Sequence, residues 1–196
     1  MPRVSRAQTD SNRTAIEEAA STLIRARGIQ GVSVADLMAE VGLTHGGFYG
    51  HFASKDALAA VACERAFEQA RERWTARVAD QAPAAARATL VNAYLSPQSR
   101  DSMATGCPLP ALAGDVAREA PDKPIRAAYQ AGIQGLLDIL QAQQATGDAN
   151  TDHHQALVDL STLVGALLLS RATLGSAVSD ELLATARAHL LPTQPQ

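Results

Sequence analysis

Residues 33–58, Ser-Val-Ala-Asp-Leu-Met-Ala-Glu-Val-Gly-Leu-Thr-His-Gly-Gly-Phe-Tyr-Gly-His-Phe-Ala-Ser-Lys-Asp-Ala-Leu, place one helix stop between two helix starts. Ser33 caps a helix with its hydroxyl, and Asp36, three residues on, completes a capping box. Val34, Leu37, Met38 and Val41 fall at i, i+3, i+4 and i+7, a single apolar face, so this helix runs to about Glu40. Gly42 supplies the left-handed residue that ends it, and Thr44 caps a second helix two positions later. Two helices joined by about three residues cross steeply, as in a helix-turn-helix. Phe48 and Phe52, one turn apart, anchor the second helix inward and leave His45, Gly46, Tyr49 and His51 towards the outside. Three of the seven aromatic residues of the chain therefore lie within positions 48–52. The pattern predicts a DNA-reading head.

The ordered set Ala19, Leu23, Gly28, Val34, Leu37, Gly42, the Phe48–Tyr49 pair, Phe52 and the Ser54–Lys55 step resembles the N-terminal DNA-binding domain of the TetR family of transcriptional repressors. The resemblance implies that Thr44 to His51 form the recognition helix. It implies further that the hydroxyls of Thr44 and Tyr49, the His51 ring and the Lys55 ammonium lie near phosphates, with His45, Gly46 and Gly47 facing base edges and Ser33 in the same DNA-binding set. The chain departs from the family pattern at Gly50, where many relatives carry a bulky side chain, and at Gly46-Gly47. Three glycines in eight residues cost helix stability, about 1 kcal/mol each against alanine. They also let the backbone approach DNA closely, so that shape and phosphate contacts carry much of the affinity. Singly, Ser33 and Thr44 read equally well as caps alone, Tyr49 as a packing residue and Lys55 as a solvated charge.

The chain of 196 residues is 46% hydrophobic and poor in strand-forming aromatics, which favours an all-α protein. Its formal net charge is −3. Six Lys or Arg against five Asp or Glu fall in residues 1–55, so the acidic excess lies beyond them. DNA affinity must then come from the placement of charge, with Arg3, Arg6 and Arg13 as extra phosphate contacts, and must weaken with salt. Even the Leu157–Leu174 stretch is broken by Asp159, Ser161, Thr162, Ser170 and Arg171, so neither a membrane span nor a membrane partner is expected. No apolar segment follows the N-terminal arginines, and a soluble, cytoplasmic protein without a disulfide framework is expected.

The expected organisation is a flexible arm over 1–11, a three-helix head over 12–58, an effector-binding and dimerisation domain over 59–191 and a frayed tail over 192–196. A first helix runs from Asn12 to Arg27, braced by Ile16, Ala19, Ala20, Leu23 and Ile24. Ser54 caps a long helix to about Asp80, with Cys63, Phe67, Ala70, Trp74 and Val78 as its apolar stripe and Glu64, Arg65, Glu68, Arg71, Glu72 and Arg73 mostly solvated. Further helices are expected over 84–94, 109–117, 125–145, 152–174 and 179–190, with a loop over 96–110 and a turn over 147–151. The 152–174 helix is apolar on more than one side. Part of that surface can pack on its copy in a four-helix arrangement about a twofold axis, with Gly165 and Ala166 allowing close approach. The resemblance likewise implies that the last two helices form a dimer interface.

Two controls are expected. One is a small effector in a cavity bounded by Phe67, Trp74, Tyr94 and Tyr129, as the resemblance suggests; few polar groups stand out there, which favours an uncharged or mostly apolar compound. The other is the thiol of Cys107 in Gly106-Cys107-Pro108-Leu109-Pro110. Proline favours the first helical turn, so Cys107 falls where N–H groups and the helix dipole stabilise a thiolate. A Gly-Cys segment at a comparable place recurs in family members that resemble thiol-based sensors; a small core residue beside a turn is the other reading. Adjacent His153 and His154 diverge on a helix and make a poor metal pair. No metal, cofactor or enzymatic motif is expected. The expectation is a homodimeric repressor released from a palindromic operator by an effector, an electrophile or an oxidant; the competing class is a helical ligand-binding or protein-interaction module without regulatory DNA binding.

Overall fold

The computed structural model describes residues 6–144 and 146–191, and among these there is helix and no strand. Helix α1 (Arg6–Arg27) starts six residues before the expected Asn12, because Arg6 to Ser11 contain neither Gly nor Pro and continue the helix. The expected flexible arm is thus corrected over residues 6–11; Arg3 and the 192–196 tail lie outside the described residues. Helix α2 (Val34–Glu40) carries the expected capping box: the Asp36 N–H donates to Ser33 Oγ at 3.0 Å, and the Asp36 carboxylate accepts from the Ser33 backbone. Gly42 follows at φ +69°, in the left-handed region a Cβ disfavours. The second helix of the pair is a 3₁₀ helix, His45–Gly50.

Helix α3 (Lys55–Val78) is capped by Ser54, whose Oγ accepts from the Ala57 N–H at 3.0 Å. Pro83 opens α4 (Pro83–Tyr94). The expected loop contains a short helix, α5 (Pro97–Asp101), because Ser96 caps it and Pro97 sits in its first turn. Helix α6 (Pro108–Arg118) begins at the Cys-Pro step. Helix α7 (Pro124–Gln141) stops before the expected Ala145, while Asp148 starts α8 (Ala149–Ala172) three residues early by accepting from the Thr151 N–H at 2.8 Å. Helix α9 (Ala177–Leu190) ends the described chain.

Buried apolar residues join both halves in one continuous core. In the head, Ile16, Ala20 and Ile24 of α1 face Leu37, Met38, Phe48 and Leu58. Beyond it, α3 packs most extensively on α7. Their approach requires Gly132, since a Cβ there would stand 2.2 Å from the Phe67 ring. Helix α8 is long and apolar enough to cross a membrane by composition, with mean hydropathy 1.2. Here its inner face, including Leu160, Leu163 and Leu167, is packed against the other helices. Its outer face is not: Leu157, Val158, Leu168 and Leu169 are exposed.

The charged residue on the inner face of α8 is Asp159, at 0% exposure. Arg87 of α4 holds it through Nε at 2.6 Å and Nη2 at 2.9 Å, Gln144 and Gln155 donate to it, and Arg87 Nη1 reaches the Leu190 carbonyl at 2.7 Å. Burial pushes the carboxyl pKa up, but the hydrogen bonds from Arg87, Gln155 and Gln144 outweigh it and hold the value below the usual carboxylate range. That stabilisation is complete above the unfolded value, about 3.9, and is lost as pH falls through the lower folded value. Asp159→Ala leaves the Arg87 guanidinium unpaired and is expected to cost about 3–5 kcal/mol in urea unfolding at neutral pH, with the gap to the parent protein narrowing in acid.

Candidate DNA interface and its connection to the second domain

The 3₁₀ helix is held from below by two aromatic residues. Phe48, at 0% exposure, and Phe52 stack at 5.7 Å between centroids, and both belong to the head core. With these rings inward, Tyr49 turns out at 65% exposure, edge-on to His45 at 6.3 Å. Ser33, Thr44, His45, Gly46 and Gly47 are exposed, and His51 and Lys55 half-buried. Thr44 has extended cap geometry but its side chain makes no cap hydrogen bond. The Ser33 hydroxyl, by contrast, is engaged in the capping box and donates to Asp36 at 2.6 Å.

The glycines here are not demanded by packing. A Cβ on Gly46 or Gly50 would meet nothing within 4 Å, and one on Gly47 would make only ordinary contacts with Met38 and Thr44. The small side chains leave an open surface over which a partner can come close to the backbone.

Arg13, expected as an extra phosphate contact, has other partners. It sits on α1, pairs with Glu17 at 2.9 Å, donates to the His51 carbonyl at 2.7 Å and lies 4.5 Å above the Phe52 ring. It clasps the C-terminal end of the 3₁₀ helix. No local sequence signal marks this role, because His51 and Phe52 are some forty residues away.

A second set of contacts links the head to α6. Asp115 accepts from the Ile29 N–H at 2.8 Å, Gln30 donates to Glu119 at 3.1 Å, and Lys123 pairs with Asp56 at 2.5 Å. At the other end of α6, Arg25 donates to the Gly106 carbonyl at 3.0 Å. One short helix thereby touches α1, the α1–α2 turn and, through the following loop, the start of α3.

The aromatic residues expected to bound one cavity are divided. Phe67 and Tyr129 make an edge contact at 5.3 Å, and Phe67 lines an open groove between α3 and α7. Trp74 and Tyr94, edge-on at 5.8 Å, line a separate cavity of about 200 Å³ together with Cys107. Tyr129 instead donates to the Leu109 carbonyl at 2.8 Å. The second cavity is also more polar than the sequence suggested, because Arg73, expected to be solvated, is half-buried and turned to the Gly106 carbonyl at 3.4 Å.

Cys107 occupies the predicted place at the start of α6 but not the predicted ionisation. Burial pushes its thiol up; contacts with Tyr94, the Leu109 N–H, Arg171 and Arg73 pull the other way without overcoming it. Cys63 is buried in α3 and pushed up to about 12 by desolvation. Both are free thiols.

Comparison with known proteins fits this geometry. Residues 16–62 match the family described as bacterial regulatory proteins, tetR family. The reduced form of E. coli NemR shares the fold at TM-score 0.75 and 22% identity, over 92% of this chain and 95% of that one. A TetR-family transcriptional regulator from Cytophaga hutchinsonii superposes at TM-score 0.77 with 22% identity over 96% of each chain. A TetR transcriptional regulator from Chloroflexus aurantiacus does so at 0.74 with 25% identity over 94% of each. Among curated protein sequences none matches the chain.

The head separates anchor from surface residues, and thermal or urea unfolding checks the separation. Phe48→Ala is expected to cost about 3–5 kcal/mol, whereas Tyr49→Ala is expected to stay within about 0.5 kcal/mol of the parent.

Proposed function

From a chain that carries the N-terminal domain of the tetR family on the all-α fold of TetR-family regulators, we propose a homodimeric, cytoplasmic repressor that binds a near-palindromic operator. The observation that carries this reading is the surface of the 3₁₀ helix: Tyr49 and His45 project beside open glycine backbone while Phe48 and Phe52 are buried beneath. Thr44, Tyr49, His51 and Lys55 contact phosphates, His45, Gly46 and Gly47 approach base edges, and Ser33 borders the same surface. With few side chains to read bases, discrimination relies on groove shape as well as direct contacts.

Dimerisation is supported by the outer face of α8 and α9. Leu168, Leu169 and Val178 are exposed there, and an apolar groove between the two helices passes Gly165, whose absent side chain leaves open space. An apolar surface of this kind on a helix pair fits a self-complementary interface. Paired heads then meet half-sites roughly 34 Å apart, or a multiple of that.

Release is assigned to the second domain. The contacts of α6 with Ile29, Gln30 and Arg25 give a physical connection by which a change near Cys107 displaces the head. Either a small ligand in the Trp74–Tyr94–Cys107 cavity or covalent modification of Cys107 supplies that change. With an activated alkene, the thiol gives up its proton, the sulfur forms a bond to the β-carbon, the π bond breaks, and the α-carbon takes up a proton, so that the thiol adds across the double bond with nothing left over. A fold relative described in a reduced form makes the thiol worth testing.

A footprint at fixed salt on DNA flanking the coding region tests the regulatory reading: a protected palindrome supports it, and absent protection rejects it. Tyr49→Ala combined with Lys55→Ala is expected to weaken binding roughly tenfold or more without changing helicity or dimer mass; unchanged affinity rejects those phosphate contacts. Leu168→Glu with Leu169→Glu is expected to yield monomers in analytical ultracentrifugation, and a persistent dimer places the interface elsewhere. Loss of protection after electrophile treatment, abolished by Cys107→Ser, identifies the thiol route; persistence of the treated complex favours the noncovalent ligand.

A further inference from the structure

Four arginines surround the Gly106-Cys107 step. Arg25 and Arg73 both donate to the Gly106 carbonyl. Arg77 is close enough to Arg73 to disfavour its charge, and Arg171 acts electrostatically on Cys107 and Tyr94. None of the four forms an ion pair among the described residues. Burial, with Arg73 adding repulsion, takes the Arg25 pKa down to about 10. Cations collected in a partly desolvated place without paired carboxylates favour an anion there.

The same place contains the cavity of about 200 Å³ bounded by Arg73, Trp74, Arg77, Leu90, Tyr94 and Cys107. Arg77 is exposed at its mouth, Arg73 half-buried, and Tyr94 and Cys107 buried at its floor. A second, independent feature belongs to its lining. The Tyr94 hydroxyl, on a side chain only 5% exposed, is buried beside the Cys107 thiol without a hydrogen bond of good geometry to it or to any other group, and buried polar groups are normally satisfied. Behind it, Arg171 Nη1 is also buried and unpartnered. The volume is below the roughly 300–1,000 Å³ of ordinary drug-sized sites, so the occupant is small. Trp74 and Leu90 supply an apolar wall, which distinguishes an organic anion from a bare inorganic one.

We propose that this cavity binds a small organic carboxylate, with Arg73 and the Tyr94 O–H on the carboxylate oxygens, Arg77 attracting it at the mouth and Trp74 and Leu90 against its apolar body. This deepens the ligand-released reading above and rests on it for biological effect, though not for binding. Planar guanidinium and carboxylate groups match in geometry and charge. Engagement of Arg73 draws it from the Gly106 carbonyl, the acceptor shared with Arg25 of α1. The ligand thus acts on a contact that joins the cavity to the head.

Trp74 is the sole tryptophan of the chain, so its fluorescence reports the cavity directly. The full-length protein, without DNA, is titrated with benzoate, propionate, their uncharged amides and inorganic phosphate. At least one carboxylate is expected to give a saturable change at millimolar concentration or below, with its amide and phosphate at least about tenfold weaker. Arg73→Gln and Tyr94→Phe are each expected to weaken that carboxylate while leaving melting cooperative; the second variant serves if the first does not fold. Saturation by neither carboxylate, equal binding of the amide or phosphate, or undiminished binding by both folded variants overturns the proposal. Carboxylate binding that leaves operator affinity unchanged upholds the site and rejects its role in release; an amide that binds as tightly as its carboxylate and releases DNA rejects the carboxylate site and upholds release by a ligand.

Discussion

Burial of both ends of α3 is the constraint on which the remaining structure depends. At its N-terminal end Leu58 joins the core of the head; farther along, Cys63, Phe67, Ala70 and Trp74 belong to the same buried cluster, and Phe67 meets Tyr129 of α7. Gly132 removes the side chain that would otherwise hold α7 off Phe67. Because buried side chains tolerate little displacement at native packing density, motion at the far end of α3 cannot be absorbed locally without cost. A helix buried in both halves of one core therefore makes them mechanically dependent while leaving the outer surface of each available for different work.

Helix α6 adds a connection of another kind. Helix α3 meets the head through its apolar face and through the Arg65–Glu18 pair, whereas α6 and its flanking residues accept hydrogen bonds from the head at Asp115, Glu119 and the Gly106 carbonyl. Such bonds can exchange partners with a small movement, which fits the release route proposed above. The chemistry at its start shows competition between local and surrounding effects. The helix N-terminus and nearby arginines favour a Cys107 thiolate, yet desolvation prevails and raises its pKa. A thiol read only from its place in a helix would thus be assigned too much reactivity.

The legible parts of the molecule were those encoded over a few residues. Ser33, Asp36 and Gly42 predicted α2 and its end because caps and left-handed turns depend on adjacent backbone. Phe48 and Phe52 marked the inward face, which left Tyr49 outside. Boundaries failed where a weak local signal had two meanings: Ser96-Pro97 looked like loop punctuation and proved to be the start of α5, and the absence of breakers carried α1 back to Arg6. The recognition segment was also expected as a regular helix, and its glycine-rich run instead forms a 3₁₀ helix. Arg73 shows why the polar character of the cavity was hidden: on α3 alone it falls among solvated charges, and only the return of the Gly106 segment makes it a wall.

By itself the sequence determined the all-helical class, the helix-turn-helix and the apolar faces, since capping, periodicity and glycine conformation act through neighbours within a turn or two. Tertiary structure alone decided that Arg13 clasps the His51 carbonyl, that Asp115 holds Ile29, that Phe67 and Trp74 face different openings, and that Arg87 neutralises Asp159. These contacts join residues far apart in the chain. Their energies depend on distance, burial and direction, quantities set only when the helices have packed.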